Sequence, residues 1–452
     1  MKQNLSKIPN SIEELEQWTT RSRVPGRQQK LLRFKTLLEL LNISIPSSQV
    51  VKIAGTNGKG SVAAMLEAIF LADAQKVVLF TSPHLSRVTE RIRVDGAEIS
   101  PDVLDDAVRR LALKLVRIVN EQGNHLLPSF FEILTLIALE HFRFCGADII
   151  ILEAGIGGYN DVIHLLPGKV SLITSVGLDH TQQLGATLSE IATDKAGIAS
   201  PDSTLVLGPD IPESALKAIL EDAQRRSIEI VSARSEIFQV QSLGVQGHQV
   251  TLSSEMGNKT FILPLAGSFQ LENLATAKAA LDVLISKQII HNQQSFFGVS
   301  QVRWFGRMEL IPGNPAWLLD GAHNAHAIAK ITADIVQLAQ EKEVAILLGL
   351  SDHNDDLVDL EPYLKKLAEA IPGAIYLTSG FYRALEPLDY LSIFQDESLK
   401  VINLGDYQSA IDKLINIYQS KENSFIVVTG SLFLIGAARE YIISTYIFFH
   451  SQ

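Results

Sequence analysis

Cysteine is almost missing from this chain of 452 residues: Cys145 stands alone. A single cysteine allows no intrachain disulfide and no cysteine-rich zinc site, and it fits a reducing cytoplasm. Long apolar runs are missing too. The stretch Tyr441–Phe449 is too short to span a bilayer and is broken by Ser444 and Thr445. Met1 to Gln17 mixes Lys2 and Lys7 with Glu13, Glu14 and Glu16 and holds no apolar h-region, so no secretory signal is expected. Basic charge is scarce as well. Lys and Arg number 39 against 50 Asp and Glu, a net charge of −11, which makes a poor general binder of nucleic acid. No repeat of fixed period and no low-complexity tract is present. What is there is a chain with 46% hydrophobic residues, enough for cores in two or three domains of roughly 150 residues each. A soluble cytoplasmic globular protein is expected, with no membrane partner.

Short β-branched runs alternate with helical stretches, the pattern of a parallel α/β sheet. Strands are predicted at Val50–Ala54, Lys76–Phe80, Asp148–Glu153, Val170–Ser175 and Thr204–Leu207. Helices are predicted at Ser61–Ala72, Asp102–Gln122, Phe130–Cys145 and Leu188–Ala199. In Asp102–Gln122 the residues Leu104, Val108, Leu111, Leu115 and Ile118 recur at helical spacing. Residues 229–263 change character. Glu229–Val231, Ile237–Val240, Val250–Ser253 and Lys259–Leu263 read as short strands joined by polar turns, an antiparallel annex to the first domain. A helix Leu271–Lys287 closes that half, and the polar stretch His291–Gly298 marks a boundary between domains 1–299 and 300–452. Five more strands follow, at Trp317–Asp320, Val344–Gly349, Ala374–Leu377, Val401–Leu404 and Phe425–Thr429, with helices between. The fold class is α/β: a mostly parallel sheet with a small antiparallel annex, then a smaller Rossmann-like domain.

The strand Val50–Ala54 runs into Gly55-Thr56-Asn57-Gly58-Lys59-Gly60-Ser61, and a helix follows. Strand, glycine loop and helix N-terminus together make a phosphate cradle, where backbone N–H groups converge on an anion. Lys59 adds a point charge for the β- and γ-phosphates, and Ser61 a hydroxyl for a phosphate or its Mg²⁺. The match to the common P-loop spacing is imperfect, since Gly60 separates the lysine from the serine. A plain glycine turn is the competing reading. Glu153 ends a predicted strand and His180 and Ser82 each follow one, so they share the carboxyl edge where α/β sheets present ligand groups. Taken singly, Glu153 reads equally as a capping glutamate, His180 as a packed histidine and Lys195 as an exposed helix lysine.

Ten segments in order carry a resemblance. They are Ala54–Ser61, Thr81-Ser82-Pro83-His84, Phe130-Phe131-Glu132 with Thr135, Glu153 with Gly155, Gly157 and Gly158, and Gly177-Leu178-Asp179-His180-Thr181. Leu184-Gly185, Lys195-Ala196-Gly197-Ile198, Gly306-Arg307, Asp320-Gly321-Ala322-His323-Asn324 and Thr429-Gly430-Ser431-Leu432 complete the set. With them the chain resembles the folylpolyglutamate synthase/dihydrofolate synthase family of the Mur ligase superfamily, over both domains. The resemblance implies a P-loop-containing, Mur-ligase-like ATPase domain followed by the Rossmann-like ligase domain. It implies an ATP-dependent amide ligase, in which the carboxylate of dihydropteroate or a folate-like acceptor becomes an acyl phosphate and L-glutamate attacks it. Such chemistry asks mainly for charge neutralisation and in-line positioning.

The roles below are likewise what the resemblance implies. Asn57, Gly58, Lys59, Gly60 and Ser61 hold the nucleotide, with Asn273 near the adenine and Arg307 and Asp320 contributed from the second half. Ser61, Ser82 and Glu153 bind one Mg²⁺ and His180 helps to hold a second. Lys195 is carbamylated, which turns a cation into an anion able to support the metal site. Lys59, His180 and Lys195 are the catalytic set. Phe131, Glu132, Asn160, Asp161 and Val162 face the acceptor, and His323 and Ser431 the glutamate. A monomer is expected, with small molecules as its partners. Two departures stand out. Phe269 replaces a histidine before Gln270, and Tyr159-Asn160-Asp161-Val162-Ile163 replaces a run that begins with arginine in the family. Tyrosine cannot supply an arginine's fork of donors, so acceptor recognition is expected to differ unless Arg87 or Arg91 covers the charge. The rival functions are a P-loop kinase or NTPase, a silent binding protein on a ligase fold, and a Mur-type ligase with another carboxylate acceptor.

Overall fold

A computed structural model describes residues 8–18, 26–253, 257–340, 342–352, 357–371, 373–394, 399–421 and 423–447. Met1–Lys7 and the last two residues of the run Tyr441–Phe449 lie outside the described residues. Contacts divide the chain into two compact units. The first takes the chain up to Val176, Thr187–Arg234 and Asn273–Val299; the second takes Gly177–Ala186, Ser235–Glu272 and the chain from Ser300 on. The cut anticipated at 299/300 is one of five. The segments 177–186 and 235–272 fall in the second unit, although both precede that cut.

In the first unit an eight-stranded sheet runs in the order β4-β3-β2-β5-β1-β6-β7-β8. Its strands are β1 (Val50–Ala54), β2 (Val77–Phe80), β3 (Ile92–Val94), β4 (Ala97–Glu98), β5 (Ile149–Glu153), β6 (Val170–Ile173), β7 (Thr204–Leu207) and β8 (Glu229–Ser232). The strands β2, β5, β1, β6, β7 and β8 pair in parallel, and β3 and β4 add an antiparallel edge at β2. β1 and β5 are buried along their whole length, as parallel strands covered on both faces should be. β8 corrects an expectation: Glu229–Val231 is not part of the annex but the parallel edge strand beside β7, reached through the helix Glu213–Arg225. Half exposed at an edge, it lacks the solid apolar run that marks an inner strand. The helix Pro101–Gln122 buries Leu104, Val108, Leu111, Leu115 and Ile118, the stripe seen in the sequence. Local chemistry fixes the helix starts. Ser129 with Glu132, and Thr187 with Glu190, form capping boxes before Phe130–Cys145 and Leu188–Ala196.

In the second unit β9 (Phe238–Ser242), β10 (His248–Leu252) and β11 (Lys259–Leu263) form a three-stranded antiparallel sheet with Val250 opposite Val240 and Phe261. Six strands form the larger sheet, in the order β12-β13-β17-β14-β15-β16. They are β12 (Glu309–Ile311), β13 (Ala316–Leu319), β14 (Glu343–Leu348), β15 (Ile375–Ser379), β16 (Val401–Asp406) and β17 (Ser424–Thr429). Five are the anticipated parallel strands. β12, an antiparallel edge of three residues, is too short for alternation to reveal it. Leu318, Ile346, Leu348, Leu377 and Val427 pack from the sheet against Ile328, Ile331 and Ile335 of the helix Ala325–Ala339. Ala266, Val245 and Phe269 belong to the same packing, which is why 235–272 counts with this unit.

Candidate active site

β1 leads through a glycine turn into the helix Lys59–Ala72, whose N-cap Gly58 has φ +84. This left-handed conformation favours glycine, and a Cβ there would lie 2.3 Å from Asn273 Oδ1. Asn273 therefore sits on the loop from within the helix Phe269–Ser286. Thr174 and Ser175, just past β6, hold the turn from the other side. The Thr174 hydroxyl donates to Asn57 O at 2.5 Å, the Asn57 amide donates to Ser175 Oγ at 3.0 Å, and the Thr56 amide to Ser175 O at 2.9 Å. The Lys59 ammonium lies over the loop within 3.1 Å of Gly55 O and Thr56 O. Cradle amides, a helix N-terminus and a local cation thus meet on one surface, an arrangement that accepts phosphate.

The neighbouring edge carries oxygen donors. Glu153 ends β5, buried, and its Oε2 accepts the Ser82 amide at 3.1 Å. The Ser82 hydroxyl is buried and has no hydrogen-bond partner among the described residues. A carboxylate beside an unsatisfied hydroxyl suits a hard cation that takes few protein ligands and keeps water and phosphate for the rest. Among the described residues no group of three His, Cys, Asp or Glu forms a metal cage, and Mg²⁺ needs none. Arg91 lies alongside, donating to His84 Nδ1 at 3.0 Å and standing 5.1 Å over the Phe130 ring. Burial, then the Arg91 charge, pushes His84 down to about 3, so at neutral pH it is an uncharged acceptor at Nδ1.

The residues expected to face the acceptor are all buried or half-buried. Phe131 packs on Phe80 at 5.6 Å and closes over Gly155. Glu132 is fully buried; its oxygens take Arg33 Nε at 3.1 Å and the Ser129 amide at 2.6 Å. Asp161 is also buried, and it accepts the amides of Gly155 at 2.9 Å and Ile163 at 2.9 Å. Burial raises its pKa, with the nearby Lys30 pulling the other way. Val162 is buried and Asn160 half-buried. Lys195, which looks like a surface lysine in the sequence, is 2% exposed on the last turn of Leu188–Ala196.

The second unit gathers its own set. His180 has φ +52 and precedes the short helix Thr181–Leu184, with its Nε2 3.8 Å from Asp179 Oδ1. Asn324 caps the helix Ala325–Ala339 through the Ala327 amide and donates from Nδ2 to Asp179 Oδ2 at 3.1 Å. His323 Nδ1 stands 2.7 Å from Gly321 O; burial lowers its pKa, partly opposed by the Asp179 charge. The two distant segments 177–181 and 320–324 thus become one cluster. Asp320 lies beneath it and accepts the amides of Met308 and Ala322, each at 2.9 Å. Arg307 donates to Gly306 O at 3.1 Å, and a Cβ on Gly321 would lie 2.4 Å from its Nη1. Ser431, fully buried, caps the helix Leu432–Ile442 and bonds Ser351 Oγ at 3.0 Å.

Known proteins match this arrangement across both units. Residues 107–281 fit the family model described as Mur ligase middle domain, and 306–432 the one described as Mur ligase, glutamate ligase domain. The dihydrofolate synthase/folylpolyglutamate synthase of Bacillus subtilis (strain 168) is 30% identical over 427 residues, covering 92% of this chain and 95% of its own. The chain belongs to the folylpolyglutamate synthase/dihydrofolate synthase family of Mur ligases. Folylpolyglutamate synthase of Mycobacterium tuberculosis, solved with ADP, superposes with a TM-score of 0.81 at 28% identity, covering 96% of this chain and 98% of that one. Against the probable bifunctional folylpolyglutamate synthase/dihydropteroate synthase of Haloferax volcanii the identity is also 30%, but this chain spans only 45% of that protein. As a member of the family the chain keeps the cradle, yet part of the site escaped the sequence. Thr174 and Ser175 carry the P-loop, and the only signal for them was a pair of hydroxyls at the end of an apolar strand.

Proposed function

We propose that this chain is an ATP-dependent ligase that joins L-glutamate to dihydropteroate or a folate-type acceptor. The observation that carries the reading is the intact phosphate cradle, Gly58 and Lys59 with Asn273 seated on it, in a chain of this family. A carboxylate oxygen of the acceptor attacks the γ-phosphorus of ATP and ADP leaves, giving an acyl phosphate. The glutamate amine, having lost its proton, attacks the acyl carbon and inorganic phosphate leaves, so an amide forms at the expense of one phosphoanhydride. Lys59 and the first-turn amides of Lys59–Ala72 neutralise charge on the transferring group. Ser61, Ser82 and Glu153 are the residues that would hold one Mg²⁺ and His180 a second; a bound ion would offset phosphate charge and orient the γ-phosphoryl. Lys195 is the proposed carbamate, a reading that rests on the family resemblance of Lys195-Ala196-Gly197-Ile198. Arg307 and Asp320 are proposed for the nucleotide, and His323 and Ser431 for the glutamate. The reading is of a cytoplasmic monomer, and the lone Cys145 suits a reducing compartment.

One observation favours a shifted acceptor. The Tyr159 hydroxyl is directed to Asp222 at 3.3 Å, so the side chain in the family arginine's place is committed within the protein. Arg87 is the weaker of the two anticipated substitutes, being paired with Glu98 at 3.3 Å; Arg91 is buried beside Glu153 and is the better one. The deciding experiment measures ADP release with dihydropteroate, tetrahydrofolate and longer folate glutamates, each with and without L-glutamate. Release that requires both acceptor and glutamate is expected. Turnover indifferent to glutamate would replace the ligase reading with a kinase or NTPase.

A further inference from the structure

The loop after Glu153 and the last turn of the helix Leu188–Ala196 are fastened together by bonds that no step of the ligation uses. Asp194 Oδ1 accepts the Gly158 amide at 2.8 Å and the Asn160 amide at 3.3 Å, while the Asp194 carbonyl accepts the Tyr159 amide at 2.7 Å. Side chains are excluded from the seam. A Cβ on Gly158 would fall 2.5 Å from Lys195 O, and one on Gly197 would fall 2.2 Å from Tyr159 Cγ. The Tyr159 ring is held between Arg27 and Arg226, whose guanidinium carbons lie 5.4 and 5.1 Å from its centroid. Arg226 reaches past the ring to donate to Ala196 O at 2.6 Å and Ala199 O at 2.8 Å, satisfying carbonyls at the helix end. It also pairs with Asp222, the residue that receives the tyrosine hydroxyl. His164 Nδ1 meets Gly197 O at 2.6 Å. A run of bonds and packed rings therefore joins residues 158–164 to 194–199.

We propose that Asp194 and Tyr159 are positioning residues that bind the acceptor-side loop to the turn bearing Lys195, so that loop and lysine hold one geometry during phosphoryl transfer. This rests on the ligase reading given above. Two physical points support it. Asp194 has 9% side-chain exposure and accepts from two backbone amides, and a carboxylate in such a place is far more directional than a surface charge. The aromatic ring is also the group that two flanking guanidinium ions can share. An arginine at 159 would add a third cation between Arg27 and Arg226, where a ring face attracts both. The departure at 159 is on this view a change of fastening, with the positive charge moved from the loop to Arg27 and Arg226.

The test compares Asp194→Ala, Asp194→Asn, Tyr159→Phe and Tyr159→Arg in the full chain. For Asp194→Ala and Tyr159→Arg, kcat should fall about tenfold or more while the KM for ATP stays within about twofold, because the cradle at Lys59 is untouched. Asp194→Asn keeps an acceptor oxygen and Tyr159→Phe keeps the ring, so each should hold kcat within about threefold. Hydrogen exchange gives a second reading that needs no activity. Amides in both 155–161 and 194–198 should exchange faster together in Tyr159→Arg, a variant that leaves Asp194 in place. Wild-type kcat in Asp194→Ala, an equal loss in Asp194→Asn, or unchanged exchange in Tyr159→Arg would overturn the proposal. A wild-type protein that releases no ADP with any pterin acceptor and glutamate would overturn the ligase reading instead, and the exchange result would still decide whether the two segments are coupled.

Discussion

After β1 the chain turns through Gly55–Gly58 into the helix Lys59–Ala72; after β13 it turns through Asp320–His323 into the helix Ala325–Ala339. Both turns leave the carboxyl end of an inner strand, the place where parallel sheets present ligands. Their backbones are used in opposite ways. In the first, hydroxyls of Thr174 and Ser175 brace the loop and an ammonium lies across its carbonyls, which keeps the surface cationic. In the second, the buried Asp320 carboxylate takes two amides for itself and Asn324 takes the helix N-terminus. Topology supplies the location, and one residue at each turn decides the sign of charge found there. The first turn has the amides and charge that suit a phosphate; the second spends its carboxylate on its own backbone.

Three measurements sharpen this contrast. The largest effect is expected from Lys59→Ala, which removes the only side-chain cation of the first turn. ADP release should drop on the order of a hundredfold with thermal unfolding unchanged, since among the described residues the ammonium bonds only loop carbonyls. Wild-type turnover would remove the cradle from the mechanism. Next comes Asp320→Ala, which strands the buried amides of Met308 and Ala322. Denaturant unfolding should show a loss of about 2–3 kcal/mol, whereas a change within about 0.5 kcal/mol would mean the second turn is not held by its carboxylate.

The smallest effect is a slope with pH. Burial raises Asp320 from 3.8 to about 6, against the pull of Arg307. Between those values the folded protein keeps a proton that the unfolded chain has released. The contribution is thus full below the unfolded value and is lost as pH rises through about 6. Stability of wild type relative to Asp320→Asn should decline across that window by at most about 1.4 kcal/mol per pH unit. A flat difference would show that the carboxyl titrates normally.

How much could be read from the sequence depended on distance along the chain. The P-loop was legible because strand, glycines, lysine and helix are contiguous, and the helix Pro101–Gln122 because its stripe repeats within a single element. The seat of Asn273 on Gly58 and the Asp194 fastening join residues far apart, and nothing in either residue's neighbourhood announces a partner. Lys195, a charged residue inside the core, was misread for a related reason. Lys195 and Lys52 are almost wholly buried, and Lys52 donates to Leu166 O and Ser200 Oγ, each at 2.8 Å, from the centre of the main sheet. Periodicity reads any lysine as outward-facing. β8 was misplaced because an edge strand with exposed ends looks the same in either kind of sheet.

The interleaving of the two units has a bearing on how this protein can be cut. A fragment starting at residue 300 would leave behind Ala266, Val245 and Phe269, which pack into its core, and Asp179, which holds Asn324. The ion pair from Lys330 to Glu272 would be lost too, as would the bonds from Ser268 to Asp334. Split reporters, swapped halves or domain grafts made at 299/300 would therefore expose apolar surface and strand buried polar groups, however clean that border looks on a linear map. A separable second half has to carry 235–272 with it and find a substitute for 177–186, so recombination between relatives should preserve these segments as a linked set.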